Sequence, residues 1–191
     1  MSLSGNSPAG NAKPMTETSE VAGKVADTLI SDEMRALEGR VLRSRTSYPI
    51  SASDIRKWAI AVYYPETPPA KFIGAGAAGG EEPLVAPEEF NPFAWATPGA
   101  MPGPADVSAG FIENGAGITP PPLKFIVNGG STFEYGLPMR EGDVITNEYS
   151  IKSYTVKQGK RGALLMTETQ DRWINQKGEH VRSILMTLVR Y

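Results

Sequence analysis

Hydrophobic and polar positions alternate with a period of two from Val144 to Val156. Ile145, Tyr149 and Ile151 fall on one side, and Thr146, Glu148, Ser150 and Lys152 on the other. That is the period of a half-buried strand. Gln158-Gly159-Lys160-Arg161-Gly162 interrupts it as a turn, and strand composition resumes from Ala163 to Ile174. Asn175-Gln176-Lys177-Gly178 turns the chain again before a last run, Val181 to Tyr191, rich in Val, Ile, Leu, Thr and Tyr. Three long strands joined by tight turns predict an antiparallel meander with one packed face and one wetter face. Upstream, Leu123 to Val127 is also strand-like. Gly129-Gly130-Ser131 then enters a strand, a pattern that fits a bulge and, equally, backbone brought close to a ligand.

The first half reads as helical, then irregular. Val21, Val25, Leu29 and Ile30 recur at near-helical spacing and predict a short amphipathic helix from Ser19 to Ile30. Ser31 is placed to cap a second helix through Leu37, ended by Gly39. Tyr48-Pro49-Ile50 is extended, as the residue before a proline prefers. Ser51-Ala52-Ser53-Asp54 is a capping-box variant opening a helix with Ile55, Trp58, Ala59 and Val62 on its inner face and Arg56 and Lys57 outside. Tyr64-Pro65 ends it. Between Pro65 and Pro122 lie twelve of the sixteen prolines and nine of the twenty glycines. No long periodic element is expected there, although Ala86 to Trp95 has the composition for a turn or two of helix around Pro92. Long irregular segments inside compact domains usually serve as binding loops, lids or wrapping arms. Residues 1–18 offer almost nothing to bury and read as a disordered tail.

Composition narrows the chemistry. The 191 residues suit one domain, here residues 19–191 with a loop insertion at 91–122. A net charge of -2 argues against nucleic-acid or membrane-surface partners, which need a basic field. Without cysteine there is no disulfide, thiolate nucleophile or Cys-ligated metal, and a single histidine, His180, leaves no His-pair metal site; no metal and no cofactor is expected. No run reaches the roughly 18 apolar residues of a spanning helix, and the N-terminus lacks signal-peptide features, so a cytoplasmic location is expected. Gly74-Ala75-Gly76-Ala77-Ala78-Gly79 matches G-x-G-x-x-G but is followed by Glu-Glu-Pro rather than a helix, and reads as a flexible loop. His180 fits a general base and, better, a surface histidine beside Glu179. Asp143 after Gly142 is turn chemistry. Lys157, Lys160 and Arg161 read as a solvated hairpin. No G-x-S-x-G nucleophile elbow occurs.

Four stretches, taken in order, resemble the N-terminal domain of MaoC-like dehydratases, the hotdog-fold (R)-specific enoyl-CoA hydratase and FAS1-like dehydratase family. They are Y-P-I-S-A-S-D-I-R-K-W-A-I-A-V, P-L-V-A-P-E-E-F, G-G-S-T-F-E-Y-G-L-P-M-R-E-G-D, and the closing strands around N-Q-K-G-E. The resemblance covers Gly39 to Tyr191, weakly between Trp95 and Leu123. It implies an α+β single hotdog fold, a curved antiparallel sheet wrapped around a central helix with a Pro/Gly-rich insertion. It implies binding of an acyl-CoA or other acyl thioester, with Asn128, Gly129, Gly130 and Tyr135 as substrate-binding residues. In such families an Asp and a His activate water for attack at the β-carbon, and a backbone amide polarises the thioester carbonyl.

This chain departs from that pattern. The aspartate position holds Pro65, the histidine position holds Ala70, and Asn128 stands where relatives often place a histidine. No catalytic residue is therefore assigned. One reading is a substrate-shaping subunit of a hydro-lyase in lipid metabolism, partnered by a catalytic MaoC-like hotdog subunit in a heterodimer or heterotetramer, with a homodimer as the alternative. The other is a chain acting alone, as a thioesterase using Glu66, Glu88 or Glu134, or as a non-catalytic acyl-thioester-binding or scaffold subunit.

Overall fold

The computed structural model describes residues 28–74, 83–95, 97–100, 108–160 and 162–191. Five strands form one antiparallel sheet: β1 (Val41–Thr46), β2 (Ile126–Tyr135), β3 (Thr146–Gly159), β4 (Gly162–Ile174) and β5 (His180–Arg190), in the order β1-β3-β4-β5-β2. The helices wholly within the described residues are α1 (Asp32–Arg35), α2 (Ala52–Tyr63), α3 (Ala70–Ile73) and α4 (Phe111–Ala116). The meander read from the alternation is β3-β4-β5, with pairing from Thr146↔Ile174 to Gly159↔Gly162 and from Leu165↔Arg190 to Ile174↔His180.

Ile145 just before β3, and Asn147 and Ile151 on its inner face, are all buried. The period does not hold to Val156. A bulge between Ile151 and Ser153 shifts the phase, so that Tyr154 turns inward. Arg35 at the end of α1 and the residues after it bond the backbone beside this bulge. Glu38 Oε1 accepts from the Tyr154 amide at 2.8 Å, the Gly39 amide donates to the Ile151 carbonyl at 2.8 Å, and Arg35 donates to the Tyr154 carbonyl at 3.1 Å. α1 itself is capped by Ser31, whose hydroxyl accepts from the Met34 amide at 3.2 Å. Of the helix expected from Ser19 to Ile30, only Thr28–Ile30 fall within the described residues, and the tail at 1–18 lies outside them.

α2 starts as its capping box predicts: Ser51 accepts from the Asp54 amide at 3.1 Å and its hydroxyl donates to the Asp54 carboxylate at 2.9 Å. Ile55 and Ala59 are buried, whereas Val62, expected inside, is 54% exposed because the last turn runs past the edge of the core. Ala86 to Trp95 forms two separate turns, closed by Phe90 N–H to Pro87 O and Ala94 N–H to Asn91 O, rather than a helix; Pro92 supplies no amide to join them. The 91–122 insertion is not purely loop. It contains α4, which buries Ile112 and Glu113.

Packing divides into two clusters. Ile50, Ile55, Phe90, Phe93, Ile145 and Trp173 form one, around α2 and the 84–93 segment. Met34, Leu37, Ile112, Ile151, Tyr154 and Leu165 form the other, around α1 and α4. Both sit on the inner face of the central strands.

Candidate functional site

The four residues predicted to contact substrate all lie on β2, an edge strand paired only with β5. The glycine pair makes a bulge: register shifts between Asn128 and Gly130, and Gly130 takes φ 135°, open to glycine alone. Asn128 Oδ1 accepts from the Gly130 amide at 2.8 Å, holding the bulge closed. Gly129 sits under β5 so tightly that a Cβ there would lie 2.8 Å from Val189 Cγ2. The bulge expected of the pair is present, and the close neighbour of Gly129 is the Val189 side chain on β5.

Tyr135 stands five residues further along, roughly 17 Å from Gly130 at strand rise. It lines a cleft of about 240 Å³ with Glu88, Gly136, Met139, Val181 and Arg182. Arg182 closes one wall. Its guanidinium lies 3.7 Å from the centre of the Trp173 ring and donates to the Glu88 carbonyl at 3.0 Å. Burial pulls it below its ordinary pKa. Phe133 and Tyr135 stack at 6.3 Å on the same face of β2, 50% and 43% exposed. The structure thus places Asn128, Gly129 and Gly130 together and Tyr135 apart, on one exposed strand that only an elongated ligand or a partner could span.

The remaining sequence candidates fall into structural roles. Pro65 follows the C-terminus of α2 and Ala70 opens α3, and neither side chain can move a proton. Glu66, Glu88 and Glu134 are exposed. His180 begins β5, its Nε2 2.9 Å from Ser183 Oγ, and its carbonyl accepts from the Leu137 amide; a Cβ at Gly136 would collide with it. Asp143 accepts from the Arg140 amide at 2.8 Å and from Gln176 at 3.0 Å, which is turn chemistry. Gly74 ends α3, and the rest of the G-x-G-x-x-G stretch lies outside the described residues, as does Arg161; Lys157 and Lys160 are exposed. Among the described residues no group of three or more His, Asp or Glu could hold a metal ion. No described helix is long and apolar enough to cross a membrane.

Sequence reasoning missed one polar constellation. Arg190 and Glu113 are both fully buried and joined by two hydrogen bonds, Nη1 to Oε2 at 2.7 Å and Nη2 to Oε1 at 2.9 Å. Arg190 also donates to Thr167 Oγ1 at 2.8 Å and to the Ala109 carbonyl at 2.9 Å, and the Tyr154 hydroxyl donates to Glu113 Oε1 at 3.1 Å. Burial, then the Glu113 carboxylate, push the Tyr154 phenol far up. The available signal was parity: Arg190 falls in phase with Leu188 and Met186 on the inner face of β5. The network clamps α4 to the sheet, and no described cavity opens onto it.

A five-stranded antiparallel sheet in this order, with its helices over one face, is a hotdog-type α+β fold. The family model for the FAS1-like, dehydratase domain region matches residues 36–184, and the chain belongs to that family. Comparison with curated proteins returns no match. Among solved structures, the chain is similar to the ChsH1-ChsH2 complex from Mycobacterium tuberculosis, with 16% identity over 93% of both chains and a TM-score of 0.54. A MaoC-like dehydratase from Rhodospirillum rubrum shares 18% identity over 80% of this chain and 92% of its own, with a TM-score of 0.43. The HadBC (3R-hydroxyacyl-ACP dehydratase) complex from Mycobacterium tuberculosis shares 20% over 80% and 99%, with a TM-score of 0.45.

Proposed function

We propose that this chain is the substrate-shaping subunit of an enoyl-thioester hydratase, residues 19–191 forming its hotdog domain. A second hotdog subunit supplies the Asp and His that handle protons. The observation that carries this reading is the pair Pro65 and Ala70 at the positions where the family's acid and base stand. Supporting it, the acids open to a thioesterase role, Glu66, Glu88 and Glu134, are exposed, and the fully buried Glu113 is held by Arg190.

Assembly suits the open edge of β2. A ten-residue strand with no neighbour on its outer side among the described residues, and with Val127, Phe133 and Tyr135 exposed, is a template for a neighbouring chain. In the complex, β2 forms one wall of the acyl-thioester site, with Asn128, Gly129 and Gly130 at one end and Tyr135 at the other. The partner's base takes a proton from water, oxygen attacks the β-carbon, and the proton returned goes to the α-carbon. Because the Gly130 amide is held by Asn128, the donor that polarises the thioester carbonyl is assigned to another backbone amide. No cofactor is needed, and a heterodimer or heterotetramer in the cytoplasm is the expected setting.

The test is to purify the chain alone and with a co-encoded MaoC-like partner, then assay enoyl-CoA hydration and free CoA release. Hydration only in the mixture supports the proposal. The thioesterase alternative has one observation in its favour, Glu88 lining the same cleft as Tyr135. It requires CoA release by the isolated chain that disappears in Glu88→Gln.

A further inference from the structure

A second cavity, of about 510 Å³, lies at the opposite edge of the sheet, between β1, β3, α4 and the residues just after α1. Leu37, Leu42, Phe111 and Ile112 give it an apolar wall, and Arg40, Arg43 and Tyr149 give it a polar side. Its volume falls in the range of sites that enclose small molecules. The wall is preorganised: Ile112 precedes Glu113, which Arg190 anchors to the sheet.

The arginines are the informative part. Arg35, Arg172 and Arg190 each have a carboxylate partner, whereas Arg40 and Arg43 have no ion pair among the described residues. Arg43 lies over the Tyr149 ring, 5.1 Å from its centre. The acid opposite Tyr149, Asp171, is engaged by Asn147 at 2.7 Å and favours the charge of Arg45. We propose that this cavity binds an amphipathic carboxylate, its apolar body against Leu37, Leu42, Phe111 and Ile112 and its carboxylate between Arg40 and Arg43. Guanidinium forks suit a planar carboxylate, and the apolar wall excludes small hydrophilic anions as full occupants. Burial pushes the Tyr149 phenol up to about 12, and the Thr169 side chain engages its hydroxyl, so the arginines carry the polar recognition.

The site is separate from the β2 edge. β1 and β2 are the two outer strands of five, roughly 19 Å apart at four interstrand spacings. The inference therefore does not rest on the hydratase reading. A free fatty acid presents this chemistry, and so does the carboxyl-bearing tail of a long acyl thioester. The two sources separate by competition: a free acid occupies the cavity together with a short acyl thioester, while a carboxyl-tailed thioester displaces it.

Calorimetric titration of the full chain with decanoate, decanol and decyltrimethylammonium tests the proposal. Decanoate should bind saturably and about tenfold more tightly than decanol, a preference of ~1.4 kcal/mol, and the cation should not bind. R40Q/R43Q, which alters exposed side chains, should bring decanoate down to the affinity of decanol. A116W, which fills the cavity, should abolish both. Decanoate binding no better than decanol, or an unchanged preference in a folded R40Q/R43Q variant, would overturn it.

Discussion

Arg190 holds a guanidinium at a position with no solvent exposure, and two of its three hydrogen-bond partners, Glu113 on α4 and Thr167 on β4, lie on the elements it joins. A buried ion pair gains little over an apolar pair of similar volume, but breaking it leaves an uncompensated charge. Glu113→Leu should therefore cost about 3–5 kcal/mol in urea unfolding, while the double variant E113L/R190M recovers most of that loss. Equal losses in the single and double variants would show that the pair does not act as a unit. Tyr149 and Tyr154 make a second residue-scale prediction. Burial raises both phenols, so between the unfolded value of about 10 and the folded values the native state binds more protons. Stability is unaffected below about pH 10 and falls as pH rises through that window. In a spectrophotometric titration, Tyr149 and Tyr154 should resist ionisation until the chain unfolds. At Gly129 the clash with Val189 predicts that Gly129→Ala lowers the unfolding midpoint, by more than Gly115→Ala, where a Cβ meets nothing. Of the buried polar network, only the parity of Arg190 with Leu188 and Met186 was available in the sequence, and parity names no partner. A single Arg or Glu in a mixed run is indistinguishable from a surface residue until its neighbours across the sheet are known, and Glu113 meets Arg190 across 77 positions of chain.

At the scale of elements, β3, β4 and β5 were legible because each has one packed face, and period-two alternation follows from that directly. β1 was not. Val41-Leu42-Arg43-Ser44-Arg45-Thr46 is an edge strand with almost every side chain exposed, so no burial pressure imprinted a pattern. The β3 bulge was hidden for another reason: the groups that bond the backbone beside it, Glu38 and the Gly39 amide, are distant in sequence. Glu38→Ala should destabilise the chain by about 1–3 kcal/mol through the unsatisfied Tyr154 amide, measurable by denaturant unfolding and by faster amide exchange at Tyr154. The start of α2 was fully legible, since capping is local. Ser51→Ala should cost about 1 kcal/mol, and Ser51→Asp should keep most of the stability. α4 escaped because its six residues sit in a Pro/Gly-rich context, and its burial is dictated by Arg190 rather than by its own periodicity.

The whole molecule is a sheet with helices over one face and an exposed, partly aromatic edge at β2. A resemblance grouped the four substrate-contact candidates, and the structure puts them all on β2, but their division between the two ends of an edge strand was not legible. The account predicts that this edge is an interface. F133K/Y135K should leave the unfolding midpoint within about 0.5 kcal/mol of the parent chain while abolishing association with a hotdog partner in sedimentation. Retained association in that variant would move the interface elsewhere on the sheet. The most direct measurement is enoyl-CoA hydration by the purified chain, first alone and then titrated with a MaoC-like subunit that retains both Asp and His. The account predicts no hydration above the uncatalysed rate for the chain alone and activity that saturates at fixed stoichiometry in the mixture. Full hydratase activity from the isolated chain would contradict it.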